Sequence, residues 1–273
     1  MPSPILLDHR AVLVVSGADA EAFLQGLVTV STLDMREGET RYGALLTPQG
    51  KIIADMILTR DAGEFLIDCD AGVAPSLLKR LSLFRLRAAV AISDRSDLGV
   101  IAFEGTADPR SPDAPQRKIG PRPSAPKGDP ARYHAARIAA GLPEQGVDFS
   151  SEEIFPADVN MDLLGGVDFR KGCFVGQEVV SRIEHRGTAR NRIVGVRYDE
   201  FAPEPGVPVQ ANEKSVGTLG STARGRGLAM LRIDRVAEAL AKGERLTAGG
   251  IALEMIKPAW ARFALPGSAQ AGE

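Results

Sequence analysis

The alternation of apolar and polar residues over residues 11–103 constrains the fold of this 273-residue chain more than any other feature. Short β-branched or alternating runs, separated by Gly, Pro or Asp, are typical of strands. Apolar residues at helical spacing after Asp19, and again over residues 73–84, predict two helices packed on the sheet. The predicted order of elements is that of an α+β domain. The strand-forming runs are residues 11–16, 41–47, 51–59, 65–69, 88–92 and 99–103.

Changes in composition divide the chain into four predicted parts. Residues 1–104 form an N-terminal α+β domain, and residues 105–130, which hold seven of the 18 prolines, form a Pro-rich linker or loop. Residues 131–188 form a middle segment that begins with a helix. Residues 189–273 contain short strand candidates separated by Pro- and Gly-rich turns, which indicates a small C-terminal β-barrel or sandwich.

Charge and cysteine content exclude several classes of function. The formal net charge of −2 gives no sign of a general nucleic-acid or membrane surface, although it is compatible with a local basic patch. We therefore expect no direct stable nucleic-acid binding and no membrane partner. Two cysteines and three histidines, without a C-x-x-C spacing, are too few for a zinc site or a [4Fe–4S] cluster held permanently by one chain. The N-terminal residues resemble neither a signal nor a transit peptide, so we expect a cytoplasmic protein.

Cys173 carries the strongest chemical signal. It follows Arg170 and Lys171 and precedes a stretch whose apolar residues lie on one helical stripe, so we expect it at or just before a helix N-terminus. Free backbone N–H groups, the helix dipole and basic neighbours all favour a thiolate. Gly172 and Gly176 permit tight turns on both sides of the sulfur. The alternative, a buried cysteine in an ordinary loop-to-helix turn, stays open on the sequence alone.

Three other features carry weaker signals. Cys69 lies on the apolar side of a strand and is expected to pack in the core. Asp55 lies in an apolar strand, where a carboxylate is costly without a partner, so it either binds a heterocyclic ligand or faces solvent. The basic residues at the end of the predicted 175–185 helix form either a solvated terminus or a site for a phosphate or glutamyl tail. They are Arg182, His185, Arg186, Arg190 and Arg192.

The segment Lys171-Gly-Cys-Phe-Val-Gly-Gln-Glu178 resembles the signature K-G-C-[FY]-x-G-Q-E of the YgfZ family. Members of that family are relatives of the glycine-cleavage T-protein, an aminomethyltransferase. The resemblance extends over nearly the whole chain outside residues 105–130. The other stretches that carry it are residues 23–29, 42–55, 155–160, 181–187, 216–218 and 229–233.

The resemblance implies an aminomethyltransferase-like folate-binding fold with ferredoxin-like sheet elements and a C-terminal β-barrel. It implies tetrahydrofolate as ligand, no permanently bound metal, and a role in assembling or repairing [4Fe–4S] proteins. The implied partners are folate, cluster-assembly proteins and iron–sulfur clients, among them radical enzymes that modify tRNA. The acting thiol is assigned to Cys173, framed by Lys171, Gly172, Gly176, Gln177 and Glu178. Folate contacts are assigned to Asp55, Asn160 and Arg192.

Two departures from the aminomethyltransferases bear on the choice of function. Their G-Y-T-G-E segment, which supplies a pterin-binding glutamate, is not found, and residues 105–130 stand near its position. The signature cysteine, in turn, belongs to the cluster-assembly branch. The leading interpretation is a folate-binding accessory protein for [4Fe–4S] assembly that acts through Cys173. The alternatives are a folate-dependent one-carbon (aminomethyl) transferase acting through Asp55, or a scaffold whose folate pocket is vestigial.

Overall fold

The computed structural model describes residues 3–123, 128–187, 189–199 and 201–266. Within these residues, no helix is long and apolar enough to cross a membrane. The strands are β1 (Ile5–Leu6), β2 (Arg10–Ser16), β3 (Thr40–Leu46), β4 (Ile52–Asp61), β5 (Glu64–Asp70), β6 (Ala91–Asp94), β7 (Leu98–Thr106), β8 (Arg117–Pro121), β9 (Asn191–Arg197), β10 (Pro208–Ala211), β11 (Lys214–Ala223), β12 (Arg226–Arg232), β13 (Leu246–Ala248) and β14 (Ile251–Ile256). The helices are α1 (Ala20–Gln25), α2 (Ala74–Phe84), α3 (Pro130–Ala139), α4 (Gln177–Arg186) and α5 (Ile233–Ala241), with a 3-10 helix at Pro156–Val159.

An antiparallel sheet in the order β3-β4-β5-β2-β6 forms the centre of the N-terminal part. The strands and helices predicted between residues 11 and 84 are all present, because period-2 and helical patterns are strong in this stretch. Helices α1 and α2 cover one face of the sheet through Leu24, Leu77 and Leu81. Cys69 lies in the same core at 0% exposure, as the sequence predicted, and burial raises the pKa of its thiol to about 12.

The opposite face of this sheet is also covered. Val12 and Val14 of β2 pack against residues of β1 and β7 and against Tyr133 of α3. Strands β1, β7 and β8 form a second antiparallel sheet with β7 in the middle. Because both of its faces are covered, the central sheet contains strands that are buried along most of their length, as in β4 and β5.

The segment of residues 105–130 differs from the predicted linker. Strand β7 continues into it, and β8 lies within it and pairs with β7. Between the two strands, Asp108 and Arg110 are only 4% and 7% exposed. Asp108, Arg110 and Arg117 of this segment are buried and paired with one another, so its proline-rich composition does not indicate a linker. Residues 124–127, also part of the predicted linker, lie outside the described residues.

The C-terminal part is a closed six-stranded barrel in the order β10-β11-β12-β9-β14-β13, which confirms the predicted barrel. Its interior is filled by aliphatic side chains such as Val194, Leu219 and Leu231. Helix α5 lays Val236 onto this core. Helix α5 and the three-residue strand β13 are absent from the predicted elements, although Ile233, Val236 and Leu240 stand at helical spacing in α5.

A chain of buried ion pairs joins the two sheets. Arg10 on β2 pairs with Asp68 on β5, with 2.7 Å between Nε and Oδ1. Arg117 on β8 lies 2.7 Å from the other Asp68 oxygen and 3.2 Å from Asp108 Oδ2. Arg110 completes the chain with two hydrogen bonds to the Asp108 carboxylate at 2.9 and 2.8 Å. Burial acts to raise the pKa of Asp108, but Arg110 and Arg117 outweigh it and lower that pKa to about 2.

We expect the substitution Asp68→Ala to lower the free energy of unfolding by about 3–5 kcal/mol, because it leaves Arg10 and Arg117 buried without their shared partner. Urea denaturation followed by circular dichroism measures this loss. The matched control is Asp97→Ala, which removes the exposed pair with Arg95 and should leave the midpoint unchanged. Equal losses in the two variants would contradict a stabilising role for the ion-pair chain.

Candidate functional site

Cys173 lies on an exposed loop that leads into α4. Its exposure, in contrast with buried Cys69, excludes the interpretation of Cys173 as an ordinary buried cysteine. Helix α4 begins at Gln177, and its N-cap Gly176 lies in the left-handed region at φ +81°. The helix therefore starts two residues later than the apolar stripe from Val175 predicts, and the thiol belongs to the turn before it.

Lys171 ties this loop to the end of α1. Its ammonium group donates hydrogen bonds to the backbone carbonyls of Gln25 and Val28, the latter at 2.7 Å. In return, the side-chain amide of Gln25 donates to the Lys171 carbonyl at 3.0 Å. Partial burial lowers the pKa of Lys171 to about 8, against an opposing effect of Asp168. Lys171 thus positions the loop that carries the thiol.

The other end of the loop is fixed by backbone contact with the turn between β3 and β4. A Cβ atom on Gly176 would lie 2.6 Å from the Thr47 carbonyl oxygen and 3.0 Å from Gly50 Cα. Gly50 has φ +80°, and a Cβ atom there would lie 3.0 Å from Cβ of Val179 on α4. Side chains at these two positions would separate the turn from the loop. The structure therefore brings the hairpin segment and the cysteine segment of the sequence into direct contact.

The residues after Cys173 support the loop in different ways. Phe174 is buried in the core that faces the middle segment, whereas Val175 packs against the core beneath α1 and α2. The backbone N–H of Gln177 donates to the Phe174 carbonyl at 3.2 Å. Glu178 is exposed and pairs with Arg182 on the next turn of α4 at 2.6 Å. Its carboxylate is therefore part of the helix surface.

Asp55 is buried on the face of the central sheet that is turned away from α1 and α2. At 2% exposure, it is not the solvent-facing residue that the sequence left open. Its Oδ2 accepts a hydrogen bond from the Tyr42 hydroxyl at 3.1 Å, whereas Oδ1 has no hydrogen-bond donor among the described residues. The Gln145 side chain accepts from the Asp55 backbone N–H at 2.9 Å. Burial raises the pKa of Asp55, although Arg10 and Arg110 favour its charged form.

Of the side chains around Asp55, only Tyr42 falls in a stretch that carries the family resemblance. Tyr42 lies on the neighbouring strand, and the alternation along β3 is the one signal that could have placed it on this face. The Arg110 guanidinium lies over the Tyr42 ring, 5.6 Å from its centroid, and comes from the segment predicted as a linker. Gln145 follows α3 and is 90 residues away in sequence, so no local pattern predicts its contact.

A cavity of about 190 Å³ opens on the same sheet face. Ile57 and Thr59 line it, and they follow Asp55 at the two-residue spacing of one strand face, but Asp55 is not itself a lining residue. Asp68 lies across from Ile57 on β5 and also lines the cavity, together with Arg60. Because small-molecule sites usually measure about 300–1,000 Å³, this cavity fits a ring system rather than a large ligand as a whole.

Asn160 and Arg192 lie elsewhere, where β9 meets the 3-10 helix. Asn160 is fully buried at φ +62°, and its Nδ2 donates to the Ile193 carbonyl at 2.8 Å. Arg192 makes two hydrogen bonds to Asp162, at 2.7 and 2.8 Å. No described hydrogen bond joins either residue to Asp55. The structure thus separates the three predicted folate ligands into two places, and the assignment of Asn160 and Arg192 to folate stays a prediction.

The basic residues at the end of α4 do not close around a common point. Arg182, His185, Arg186 and Arg190 are exposed on or beyond the helix. Arg192 is directed instead to its carboxylate partner and is largely shielded from solvent. This arrangement fits a solvated helix terminus better than an enclosed anion site.

Comparisons with known proteins follow the same division of the chain. The model of the GCVT N-terminal domain matches residues 7–113, and that of the CAF17 C-terminal β-barrel domain matches residues 190–263. The mitochondrial iron–sulfur cluster assembly factor IBA57 of Mus musculus is 30% identical over 277 residues, which cover 84% of this chain and 77% of the relative. The mitochondrial IBA57 homolog of Pyricularia oryzae is 31% identical over 289 residues, covering 88% and 72%. The chain belongs to the IBA57 family of iron–sulfur cluster assembly factors.

Two further comparisons define the extent of the likeness. The IBA57 homolog of Mycosarcoma maydis is 33% identical over 224 residues, and the chain spans only 56% of that protein's length. The crystal structure of glycine cleavage system aminomethyltransferase T from Bartonella henselae matches with a TM-score of 0.75 at 18% identity. That match covers 95% of this chain and 86% of the other, and it confirms the predicted aminomethyltransferase-like fold.

These relatives bear on the predicted location of the protein and on its predicted family. They are named as mitochondrial proteins, so the cytoplasmic location expected from the N-terminal residues is wrong. The predicted relationship to iron–sulfur assembly factors is confirmed at the level of the family. Membership of the YgfZ branch, folate binding and a reactive cysteine stay predictions.

We expect Gly176→Ala to destabilise the protein more than Gly172→Ala. Both glycines have positive φ, +81° and +95°, so each substitution incurs about 1–2 kcal/mol of backbone strain. Only at Gly176 does the new methyl group also meet backbone atoms, which adds about 1–3 kcal/mol, whereas nothing lies within 4 Å at Gly172. Thermal unfolding of the two variants measures the difference. Equal destabilisation would mean that the loop and the β3–β4 turn are not locked together.

Proposed function

We propose that this protein is an accessory factor in the assembly or repair of [4Fe–4S] proteins, that Cys173 is its acting thiol, and that tetrahydrofolate binds on the Asp55 face of the central sheet. The observation that carries the proposal is an exposed cysteine on a loop tied down at both ends. The relatives of the protein are named iron–sulfur cluster assembly factors, which supports cluster assembly as the process in which it acts. Its partners are then cluster-assembly proteins and iron–sulfur clients.

The proposed chemistry of Cys173 follows from the small number of cysteines and from the exposure of this one. A [4Fe–4S] cluster generally takes four thiolate ligands, and this chain has one exposed cysteine among the described residues. The Cys173 sulfur therefore serves as a single ligand to a cluster whose other ligands belong to a partner protein. Lys171 and Gly176 hold the loop in one position, so that the thiol is presented without the entropic cost of ordering a mobile segment.

The case for folate lies in the unsatisfied carboxylate. Asp55 Oδ1 is buried and lacks a donor among the described residues, which is costly unless a ligand supplies one. The N–H groups of a pterin ring are donors of that kind, and the cavity beside Ile57 and Thr59 has the size of a ring. Asp55 does not itself line the cavity, so in this proposal the ring passes Ile57 to reach its oxygen, and Arg60 at the cavity would favour an anionic extension. We therefore infer tetrahydrofolate as the ligand class.

The narrower assignment to the YgfZ branch rests on the signature Lys171-Gly-Cys-Phe-Val-Gly-Gln-Glu178. On that basis, the proposed clients include radical enzymes that modify tRNA. Aminomethyl transfer is the less favoured function, since the G-Y-T-G-E segment of the aminomethyltransferases is not found in this chain.

Cys173→Ala should abolish the support of a [4Fe–4S] client enzyme in cells that lack the wild-type gene, while changing the free energy of unfolding by less than about 0.5 kcal/mol. The control is Cys69→Ala, which removes a buried thiol from the core and should lower stability but retain client activity at a permissive temperature. Client activity and urea denaturation are measured for both variants. Normal client activity in Cys173→Ala would contradict the proposal that Cys173 is the acting thiol.

Calorimetric titration of tetrahydrofolate should give saturable binding to the wild type and at least roughly tenfold weaker binding to Asp55→Asn, because the loss of a charged acceptor in a buried site costs more than 1.4 kcal/mol. Asp97→Asn, a change at an exposed carboxylate outside the cavity, is the control. No saturable binding to the wild type removes folate from the proposal without affecting the role of Cys173. Turnover of an aminomethyl donor that is lost in Asp55→Asn would favour the transferase instead.

A further inference from the structure

The end of α2 and the turn after it expose three large apolar side chains in a row. Leu83, Phe84 and Leu86 are 68%, 40% and 89% exposed. Among the described residues only Leu33, Val147 and Phe201 are comparably exposed large hydrophobic residues, and they are scattered along the chain. Single exposed apolar residues are common, but a contiguous group marks a surface that another phase or molecule covers.

The same stretch is basic and contains no acid. Residues 71–93 include no Asp or Glu, although the chain has 35 of them in 273 residues. They include four cations: Lys79, Arg80, Arg85 and Arg87. Of these, Arg80 pairs with Glu152, and Arg85 donates to the Val90 carbonyl at 3.5 Å. Cationic side chains thus flank the apolar ones along the chain. The acids in contact with this stretch are Glu152, which pairs with Arg80, and Asp19, which accepts from the Ala89 N–H.

The geometry directs these side chains outward. Leu77 and Leu81 are fully buried beneath α2, and at 100° per residue Leu83 falls on the opposite side of the helix. Leu86 follows the end of the helix at φ +46°, so the chain turns sharply there and the side chain projects from the surface. These side chains therefore form a ridge that projects from the surface of the protein.

We propose that this ridge, defined by Leu83, Phe84, Arg85, Leu86 and Arg87 and called the α2 ridge, docks on an anionic lipid surface. The negative surface of such a bilayer attracts the arginines of the ridge. The apolar side chains beside them then insert at the boundary between headgroups and acyl chains. A second copy of the chain is a poor occupant, because two identical basic ridges repel each other. An acidic protein surface could also pair with these donors, and it is the alternative that the experiment below separates from a lipid surface.

The proposal is independent of the role of Cys173 and of folate. It departs from the expectation of no membrane partner, which was drawn from the overall charge. A ridge of this size attaches reversibly, since stable anchoring needs a second signal or a larger apolar insertion.

Co-sedimentation of the full chain with phosphatidylcholine vesicles, with and without 30 mol % phosphatidylglycerol (roughly the anionic fraction that gives a strongly negative surface), tests the proposal. We expect binding to the anionic vesicles that falls by about fivefold for each arginine replaced in Arg85→Gln and Arg87→Gln, and that weakens as salt rises. Leu83→Ser with Leu86→Asn should reduce binding further, and Asn tolerates the left-handed backbone at position 86.

The controls carry the same changes away from the ridge. Phe201→Ser removes another exposed apolar side chain, and Lys214→Gln with Lys242→Gln removes two exposed cations of the barrel domain. Circular dichroism confirms that each variant is folded. Equal binding of wild type and ridge variants, or no binding to anionic vesicles at low salt, overturns the proposal. A client defect in the ridge variants without vesicle binding by the wild type overturns it in favour of a protein partner.

Discussion

The buried chain of ion pairs that runs from Arg10 through Asp68 and Arg117 to Asp108 and Arg110 is the constraint on which the rest of the N-terminal half depends. Buried charges persist only when they are paired, so the two sheets must approach until their carboxylates and guanidinium groups meet. This approach brings Arg110 over Tyr42. The environment of the neighbouring carboxylate, Asp55, is a consequence of how the two layers are joined.

The functional groups that result occupy two sides of one sheet. The Asp55 face is closed by the second sheet and by α3, and it offers one buried oxygen without a donor. The opposite face carries α1 and α2, and Lys171 attaches the cysteine loop to the end of α1. The proposed small-ligand site at Asp55 and the proposed partner site at Cys173 therefore lie in different places, and occupation of one would not block the other.

The sequence predicted the parts of this structure that follow from local periodicity. The alternation in β3, β4 and β5 and the stripes of α1 and α2 give the N-terminal layer, and the signature around Cys173 identifies the loop that carries the exposed thiol. What it could not predict depends on tertiary contact. The proline-rich segment contributes β8 and the buried Asp108, because ion pairing overrides the composition of a linker. Gln145 reaches Asp55 across 90 residues of sequence, which no pattern within either segment records.

The contact between Gly50 and Gly176 has a consequence for communication within the molecule. Gly50 ends the turn of the same hairpin whose outgoing strand, β4, carries Asp55 five residues later. A strand is stiff along its length, and here its first turn touches the cysteine loop backbone to backbone, with no side chain between them to absorb a displacement. A displacement of the start of β4 would therefore press directly on Gly176, three residues from Cys173, and the position of the thiol depends on the position of this hairpin.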